Sequence, residues 1–327
     1  MKFVQMSPIF VSGEGVKDLA SILITGASGM IGMYLTSSLL KKKHKVYGVD
    51  IKSNEFIGAD PNYTFIQCEA SDKDQIVDVI RSNSIDTIVH LAYTVDNDLD
   101  QYITDLEMKN SKTTDKFIYG AARDAGVKNF ILASTTQVYG LQKGREPIRE
   151  TTPEKGNSNY SDMKMLSEKL MQKEFKKGDV IPVIMRIAPV YTSEYTQNLL
   201  DRVYDAKEDV AFIFNEGDYG FKFCCVFNLV DFISAIIAGP QGRYEGIYNI
   251  CDTRLTTAKE IIDHEREHHR IGAVVQRSPN MGLTISKGKA KTDYRYFDPS
   301  NTFMNWNYDN TKAQRISPFR WNLGNTK

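Results

Sequence analysis

Thr25-Gly26-Ala27-Ser28-Gly29-Met30-Ile31-Gly32 follows the apolar run Ile22-Leu23-Ile24 and opens a helical pattern over 33–40. Strand, glycine-rich turn and helix, in that order, form a seat for the pyrophosphate of a dinucleotide. One glycine lets the chain turn tightly, a second lets backbone N–H groups reach the phosphates, and a third lets the helix pack close to the strand. The helix N-terminus then offers unpaired N–H groups and partial positive charge to the anion. The next strand pattern, 45–50, ends in Asp50, 18 residues after Gly32. A carboxylate there accepts hydrogen bonds from both hydroxyls of an adenosine ribose and repels a 2′-phosphate, so the expected cofactor is NAD rather than NADP.

Working outward, β-rich runs at 22–25, 45–50, 64–67, 87–91, 130–133, 180–187 and 246–250 alternate with helical patterns near 29–40, 72–81, 101–125 and 160–177. Such alternation predicts an α/β fold, a doubly wound parallel sheet with helices on both faces and ligands beyond the carboxyl ends of the strands. After about Ile187 the rhythm breaks. The expected division is a dinucleotide-binding domain over 20–189, completed by about 227–251 with a helix at 229–238. A smaller irregular substrate lobe is expected from about 190–226 and 252–327, and residues 1–19 read as an N-terminal extension.

Lys plus Arg and Asp plus Glu both number 41, so no global basic field exists to draw nucleic acid or an acidic membrane surface. The basic clusters at 41–43 and 287–291 are short and read as solvated helix ends and loops. No apolar run approaches the roughly 20 residues of a membrane span. Cys68, Cys224, Cys225 and Cys251 show no metal-ligand spacing, and neighbours such as Cys224 and Cys225 point to opposite faces of a strand. A reduced, cytoplasmic protein is expected.

A second constellation lies downstream. Tyr160 and Lys164 sit four apart and share one helix face. A phenol near its ordinary value of about 10 is a poor base at neutral pH, and a neighbouring cation lowers it. Ser134-Thr135-Thr136-Gln137-Val138-Tyr139-Gly140 follows the fifth strand and supplies a short hydroxyl. Hydroxyl, phenol and ammonium together form a proton-handling unit for oxidising an alcohol or reducing a ketone.

With these pieces the chain resembles the extended short-chain dehydrogenase/reductases, in the NAD-dependent epimerase/dehydratase family. The likeness runs from about Ile22 to Lys312. It rests on 25–32, Asp50, His90-Leu91-Ala92, Asn110, 134–140, Tyr160 with Lys164, and Arg186-Ile187-Ala188-Pro189-Val190-Tyr191. It implies a Rossmann-type fold. In it Gly26, Ser28, Gly29, Met30, Ile31 and Gly32 would hold the pyrophosphate, Asp50 the ribose, and Glu69 and Ala70 the adenine. Leu91, Ala92 and Tyr93 would border the dinucleotide, and Pro189 would lie near the nicotinamide. Thr135 would hydrogen-bond the reacting hydroxyl, Tyr160 would act as general acid and base, and Lys164 would anchor the ribose and charge the site. Asn110 would maintain a water or backbone link near the site. A homodimer paired through the helices at 101–125 and 160–177 is also implied.

Departures from the family pattern narrow the chemistry. The 4,6-dehydratases carry Asp-Glu after the active Thr, whereas this chain has Thr136-Gln137, which cannot shuttle a proton. Pro189 replaces an Asn usual in nucleotide-sugar epimerases, Thr192-Ser193 replace Gly-Pro, Phe221 beside Lys222 stands at the usual phosphate-binding Arg, and Asn228 stands for Asp. Arg295 is a candidate phosphate clamp. The expected activity is epimerisation of a sugar, nucleotide-linked, by transient oxidation to a ketone and hydride return. A net dehydrogenase or reductase of a sugar-like alcohol or ketone, and a non-catalytic NAD-sensing protein, are the alternatives.

One further motif, His264-Glu265-Arg266-Glu267-His268, fits the His-Glu-x-x-His pattern of zinc peptidases. No third ligand follows it, so it reads as a charged exposed helix and no metal is expected. His90, on an apolar strand, reads as a satisfied core histidine, and Trp306 and Trp321 as packing residues.

Overall fold

The computed structural model describes residues 19–53, 57–93, 104–140, 142, 146–156, 158–176, 178–240, 242–277 and 307–326. Residues 1–18, the basic stretch 287–291, Arg295 and Trp306 lie outside these. The strands are β1 (Ser21–Thr25), β2 (Lys45–Asp50), β3 (Tyr63–Gln67), β4 (Thr87–His90), β5 (Asn129–Thr135), β6 (Ile181–Ile187), β7 (Val190–Tyr191), β8 (Tyr204–Asp205), β9 (Val210–Ile213), β10 (Gly220–Phe221), β11 (Cys224–Cys225), β12 (Gly246–Ile250), β13 (Thr256–Thr257) and β14 (Val274–Gln276). The helices are α1 (Met30–Lys41), α2 (Lys73–Ser82), α3 (Asp105–Asp124), α4 (Asn159–Phe175), α5 (Gln197–Leu200), α6 (Val226–Ala238), α7 (Ala258–Glu267) and α8 (Thr311–Gln314).

Seven strands form one sheet in the order β12-β6-β5-β4-β1-β2-β3. Every pairing in it is parallel. Order reverses between β1 and β4, which places a ligand crevice beyond their carboxyl ends. The doubly wound fold read from the sequence is therefore present. Period-2 alternation distributes β1 between two layers: Ile22 and Ile24 join one apolar cluster with Leu35, Leu39, Phe232 and Ile236, while Leu23 joins another with Ile76, Ile118, Met171 and Phe175. The first layer is built by α1 and α6, the second by α2, α3 and α4. Both faces are covered, which is why β1 and β4 read as unbroken apolar runs.

Helix boundaries follow capping chemistry. Helix α3 begins at Asp105 because Thr104 and Glu107 form a reciprocal capping box, the Thr104 side chain accepting from the Glu107 backbone N–H. Ser158 caps α4 and Thr257 caps α7 in the same way, and Asp72 caps α2. Helix α6 starts at Val226, three residues before the expected 229.

Beyond the large sheet, β7 pairs with β11, β10 with β13, and β8 and β14 flank β9. A third apolar cluster gathers Tyr191, Leu199, Phe221, Phe223, Ile261 and Leu323. Cys224 faces the first cluster and Cys225 the third, so the two thiols point apart, and all four cysteines are free. Among the described residues no helix is long and apolar enough to cross a membrane.

One buried carboxylate ties these parts to the large sheet. Asp252, just after β12, accepts from Cys225 N and Asn228 Nδ2 at 2.8 Å each, and from the Tyr191 hydroxyl at 2.7 Å. Asn228 in turn bonds both backbone groups of Trp321. Trp321 packs against Phe227, as expected of a packing residue. Burial pushes the Asp252 carboxyl up from 3.8 to about 6, against the pull of its donors and of Lys222. A carboxyl whose value is higher folded than unfolded binds its proton more tightly when folded. Its contribution to stability is therefore full below pH 3.8 and is lost as pH rises through about 6. We predict that Asp252→Asn removes a loss of roughly 2–3 kcal/mol across that window. Melting temperature against pH would then be flatter than in the parent chain, and an unchanged slope would count against this reading.

Candidate active site

The glycine-rich turn is pinned from both sides. Gly26 and Ala27 donate their N–H groups to Val49 O on β2, at 2.8 and 3.2 Å. Leu91 N reaches Thr25 O at 3.1 Å, and Ala92 N reaches Thr25 Oγ1 at 3.3 Å. Gly26 sits at φ +76°, in the left-handed region, and a Cβ there would stand 2.9 Å from Ala92 N. At Gly32 a Cβ would stand 2.3 Å from Gly26 O, backbone that cannot move aside. These are the tight turn and the close helix approach that a dinucleotide cradle needs.

The start of α1 fits the anion. Helices α2, α3, α4 and α7 each spend a side chain on their first N–H groups. Helix α1 has Gly29 as N-cap, no side-chain cap and no acid in its first turn. The N–H groups of Met30 and Ile31 therefore stand at a positively polarised helix end where, among the described residues, no side chain caps them. The residues fit NAD at that point. Asp50 Oδ2 accepts Ser28 N at 2.9 Å and Oδ1 accepts Lys52 N at 3.1 Å, so the carboxylate is fixed beside the cradle. An ionised carboxylate has about four acceptor sites, which leaves two for ribose hydroxyls. Glu69 is exposed after β3, with Ser71 Oγ on its carboxylate at 2.9 Å. Half-buried Ala70 packs on the second apolar cluster and Leu91 on the first.

Lys164 of α4 reaches the carboxyl end of β5, two residues before Thr135. Lys164 is buried at 3% exposure and donates to Ala133 O at 2.9 Å. The Tyr160 ring centroid lies 5.7 Å from the Lys164 ammonium, and the Tyr93 ring centroid only 2.9 Å. Thr135, at the last position of β5, accepts Gln137 N at 3.2 Å, which leaves its hydroxyl proton to donate. Burial pulls the Lys164 ammonium well below its ordinary value, and Asp115 and then Glu168 oppose that pull. Half-buried Pro189 lies between β6 and β7, its carbonyl taken by Cys224 N at 2.9 Å.

Several expectations at other positions meet different surroundings. Asn110 is exposed on α3. The buried polar residue of that helix is Asp115, 2% exposed and 3.4 Å from His90 Nε2. His90 is fully buried, with Nδ1 2.6 Å from Thr25 Oγ1. Lys222, beside buried Phe221, donates to Thr253 O at 2.9 Å. His264 and His268 stack at 4.3 Å, and Glu265 between them is fully buried and bonded to Thr196 and Arg270. Its carboxylate is committed to the protein interior, away from any role in activating water.

Sequence reasoning overlooked Glu168 and Asp115. Glu168 takes a bidentate grip from the Arg186 guanidinium and accepts from Ser134 Oγ. It lies four residues after Lys164, hence on the same face. Asp115 interrupts an otherwise apolar helix stripe with Ile118, Tyr119 and Ala122, a placement that signals a buried polar partner.

The pattern of the NAD dependent epimerase/dehydratase family matches residues 22–251. A Bacillus subtilis (strain 168) protein called uncharacterized UDP-glucose epimerase YtcB is 28% identical over 243 residues, 67% of this chain and 73% of its own. Human dTDP-D-glucose 4,6-dehydratase is 27% identical over 185 residues, so the chain spans about half of that relative's length (52% of this chain, 51% of the other). The fold is also that of UDP-glucuronic acid 4-epimerase from Bacillus cereus, solved with UDP-glucuronic acid and NAD. The TM-score is 0.71 at 19% identity, over 92% of this chain and 94% of the other.

The cradle geometry makes a graded prediction. In the parent chain, NAD at a hundred times its Kd stabilises the fold by roughly 2.7 kcal/mol. Gly32→Ala, whose methyl meets backbone at 2.3 Å, abolishes the NAD-induced rise in melting temperature. Gly29→Ala, whose methyl meets Gly26 O at 3.4 Å, keeps most of it. Equal responses from the two variants would contradict the close-packing role assigned to Gly32.

Proposed function

The chain belongs to the NAD-dependent epimerase/dehydratase family, and from there we propose that it epimerises a nucleotide-linked sugar without net oxidation. The relatives named for UDP-glucose and UDP-glucuronic acid support a nucleotide-sugar substrate. The observation that carries the reading is the grouping of Tyr160, Lys164 and Thr135 at the end of β5, beside a cradle that fits NAD.

Bound NAD supplies reversible hydride acceptance at a carbon held next to it. Tyr160, as phenolate, removes the proton of the substrate hydroxyl and later returns it. Lys164 stabilises that phenolate electrostatically and anchors the nicotinamide ribose. Thr135 donates its hydroxyl proton to the reacting oxygen, which holds that oxygen while the ketone presents its other face. Gly26, Ser28, Gly29, Met30, Ile31 and Gly32 hold the pyrophosphate, Asp50 the adenosine ribose, and Glu69 and Ala70 the adenine. Leu91, Ala92, Tyr93 and Pro189 wall the dinucleotide and keep water from it. Thr136 and Gln137 carry no ionisable group, so elimination of water through an acid–base pair at those two positions is disfavoured. The substrate's nucleotide would lie against the short strands formed by residues of 190–226 and 252–327. The same likeness supports a homodimer paired through α3 and α4, which light scattering at micromolar concentration would read.

Incubation of UDP-glucose and UDP-glucuronic acid in heavy water with catalytic NAD tests the proposal. Mass spectrometry should find an epimer that retains protium at the inverted carbon. Steady growth of NADH absorbance with turnover would instead identify a net dehydrogenase. Tyr160→Phe should lower kcat by about 10²-fold or more, the usual worth of a positioned acid–base group. Turnover unchanged in that variant would support a non-catalytic NAD-binding role.

A further inference from the structure

Lys164 is placed as if its surroundings, and not only its helix position, were chosen for a cation. Its ammonium lies over the Tyr93 ring at 2.9 Å from the centroid and donates to Ala133 O. Burial this deep favours the neutral amine, so the cation needs compensation from nearby charge. Two carboxylates oppose the effect of burial, Asp115 and Glu168. Glu168 is already committed: Arg186, itself 1% exposed, holds both of its oxygens at 2.7 and 3.2 Å. Its effect on Lys164 is the smaller of the two.

Among the described residues no Arg or Lys forms an ion pair with Asp115. Its Oδ1 accepts the Tyr93 hydroxyl at 3.3 Å and faces His90 Nε2 at 3.4 Å. Thr25 Oγ1 accepts Ala92 N at 3.3 Å and lies 2.6 Å from His90 Nδ1, on the side of the ring opposite Asp115. Ser167 Oγ lies 2.6 Å from the Tyr93 hydroxyl and 2.7 Å from that of Tyr119. Tyr93 is thus held at its hydroxyl end by α3 and α4, with its π-face toward Lys164. A ring face attracts a cation through its quadrupole, most strongly when both are desolvated.

We propose that Asp115 and Tyr93 are positioning residues for Lys164: the Tyr93 ring seats the ammonium, and the Asp115 carboxylate is the counter-charge that keeps it a cation. The ammonium meets Tyr93 just after β4, Tyr160 and Glu168 from α4, and Asp115 from α3; behind these stand His90 against Asp115, Tyr119 against Ser167 and Arg186 against Glu168. This rests on the epimerase reading only for its effect on turnover; the seat and the counter-charge are properties of the folded chain.

Loss of the Asp115 charge removes the larger of the two carboxylate effects that oppose burial, so Lys164 gives up its proton at lower pH and Tyr160 loses its cation there. In Asp115→Asn the alkaline limb of the kcat profile should move about one pH unit down or more, with KM and NAD affinity within about twofold of the parent. Tyr93→Leu should move the limb in the same direction, and Tyr93→Phe, which keeps the ring, should move it less. The Lys164 Nζ resonance in 15N-lysine-labelled full-length protein should titrate at correspondingly lower pH in Asp115→Asn and Tyr93→Leu. An Nζ titration unchanged in a folded Asp115→Asn variant would overturn the proposal. Should that variant not fold, an unchanged titration in Tyr93→Leu would do the same. A shifted titration in a chain that turns over no nucleotide sugar would uphold the positioning role and count against the epimerase reading alone.

Discussion

Gly32 lies so close to the carbonyl of Gly26 that a single methyl would stand 2.3 Å from it. That approach fixes where α1 begins relative to β1, and much of the remaining structure follows from it. It aims an uncapped helix end at the crevice where strand order reverses. It sets Ala27 in the core, with both Gly26 and Ala27 reaching Val49 O on the neighbouring strand. It also leaves Asp50 and Ser28 joined by one hydrogen bond of 2.9 Å, so the acidic end of β2 is tied to the glycine-rich turn. A side chain larger than hydrogen at Gly32 would disturb all three relationships together.

The opposite end of the crevice is governed by burial of charge. Lys164, Glu168, Arg186 and Asp115 are each 3% exposed or less, between the sheet and two helices. Isolated charges at such depth would be expelled or neutralised, and they persist because each has a partner. Arg186 and Glu168 satisfy one another, while Lys164 meets an aromatic face, a carbonyl and the nearby Asp115 charge. The result is a cation held beside Tyr160 without contact with bulk water, where its influence on a phenol is least screened.

The fold was legible because its signals are local. The run 25–32 and the apolar strands each declare an element within a few residues, and α-helical spacing put Tyr160 and Lys164 on one face. What stayed hidden depends on pairings between distant segments. The apolar stripe of α3 marks Asp115 as inward, but only the packing of α3 on α4 brings it to Lys164. Asn110 had the family likeness in its favour, yet the apolar stripe of α3 runs through Asp115, so Asn110 faces solvent. Asp252 likewise is an ordinary loop residue by sequence, and only the meeting of β7, β11 and β12 encloses it. The short strands after Ile187 were not legible for the same reason: two-residue pairings carry almost no periodicity.

The proposed reaction needs a phenol, an ammonium and a hydroxyl at the redox end of NAD while three glycines hold its phosphates. A crystal structure of the chain grown with NAD should show the pyrophosphate against the first N–H groups of α1, the adenosine ribose on Asp50, and the nicotinamide beside Thr135, Tyr160 and Lys164. A dinucleotide bound away from the turn, or a nicotinamide remote from those three side chains, would contradict it.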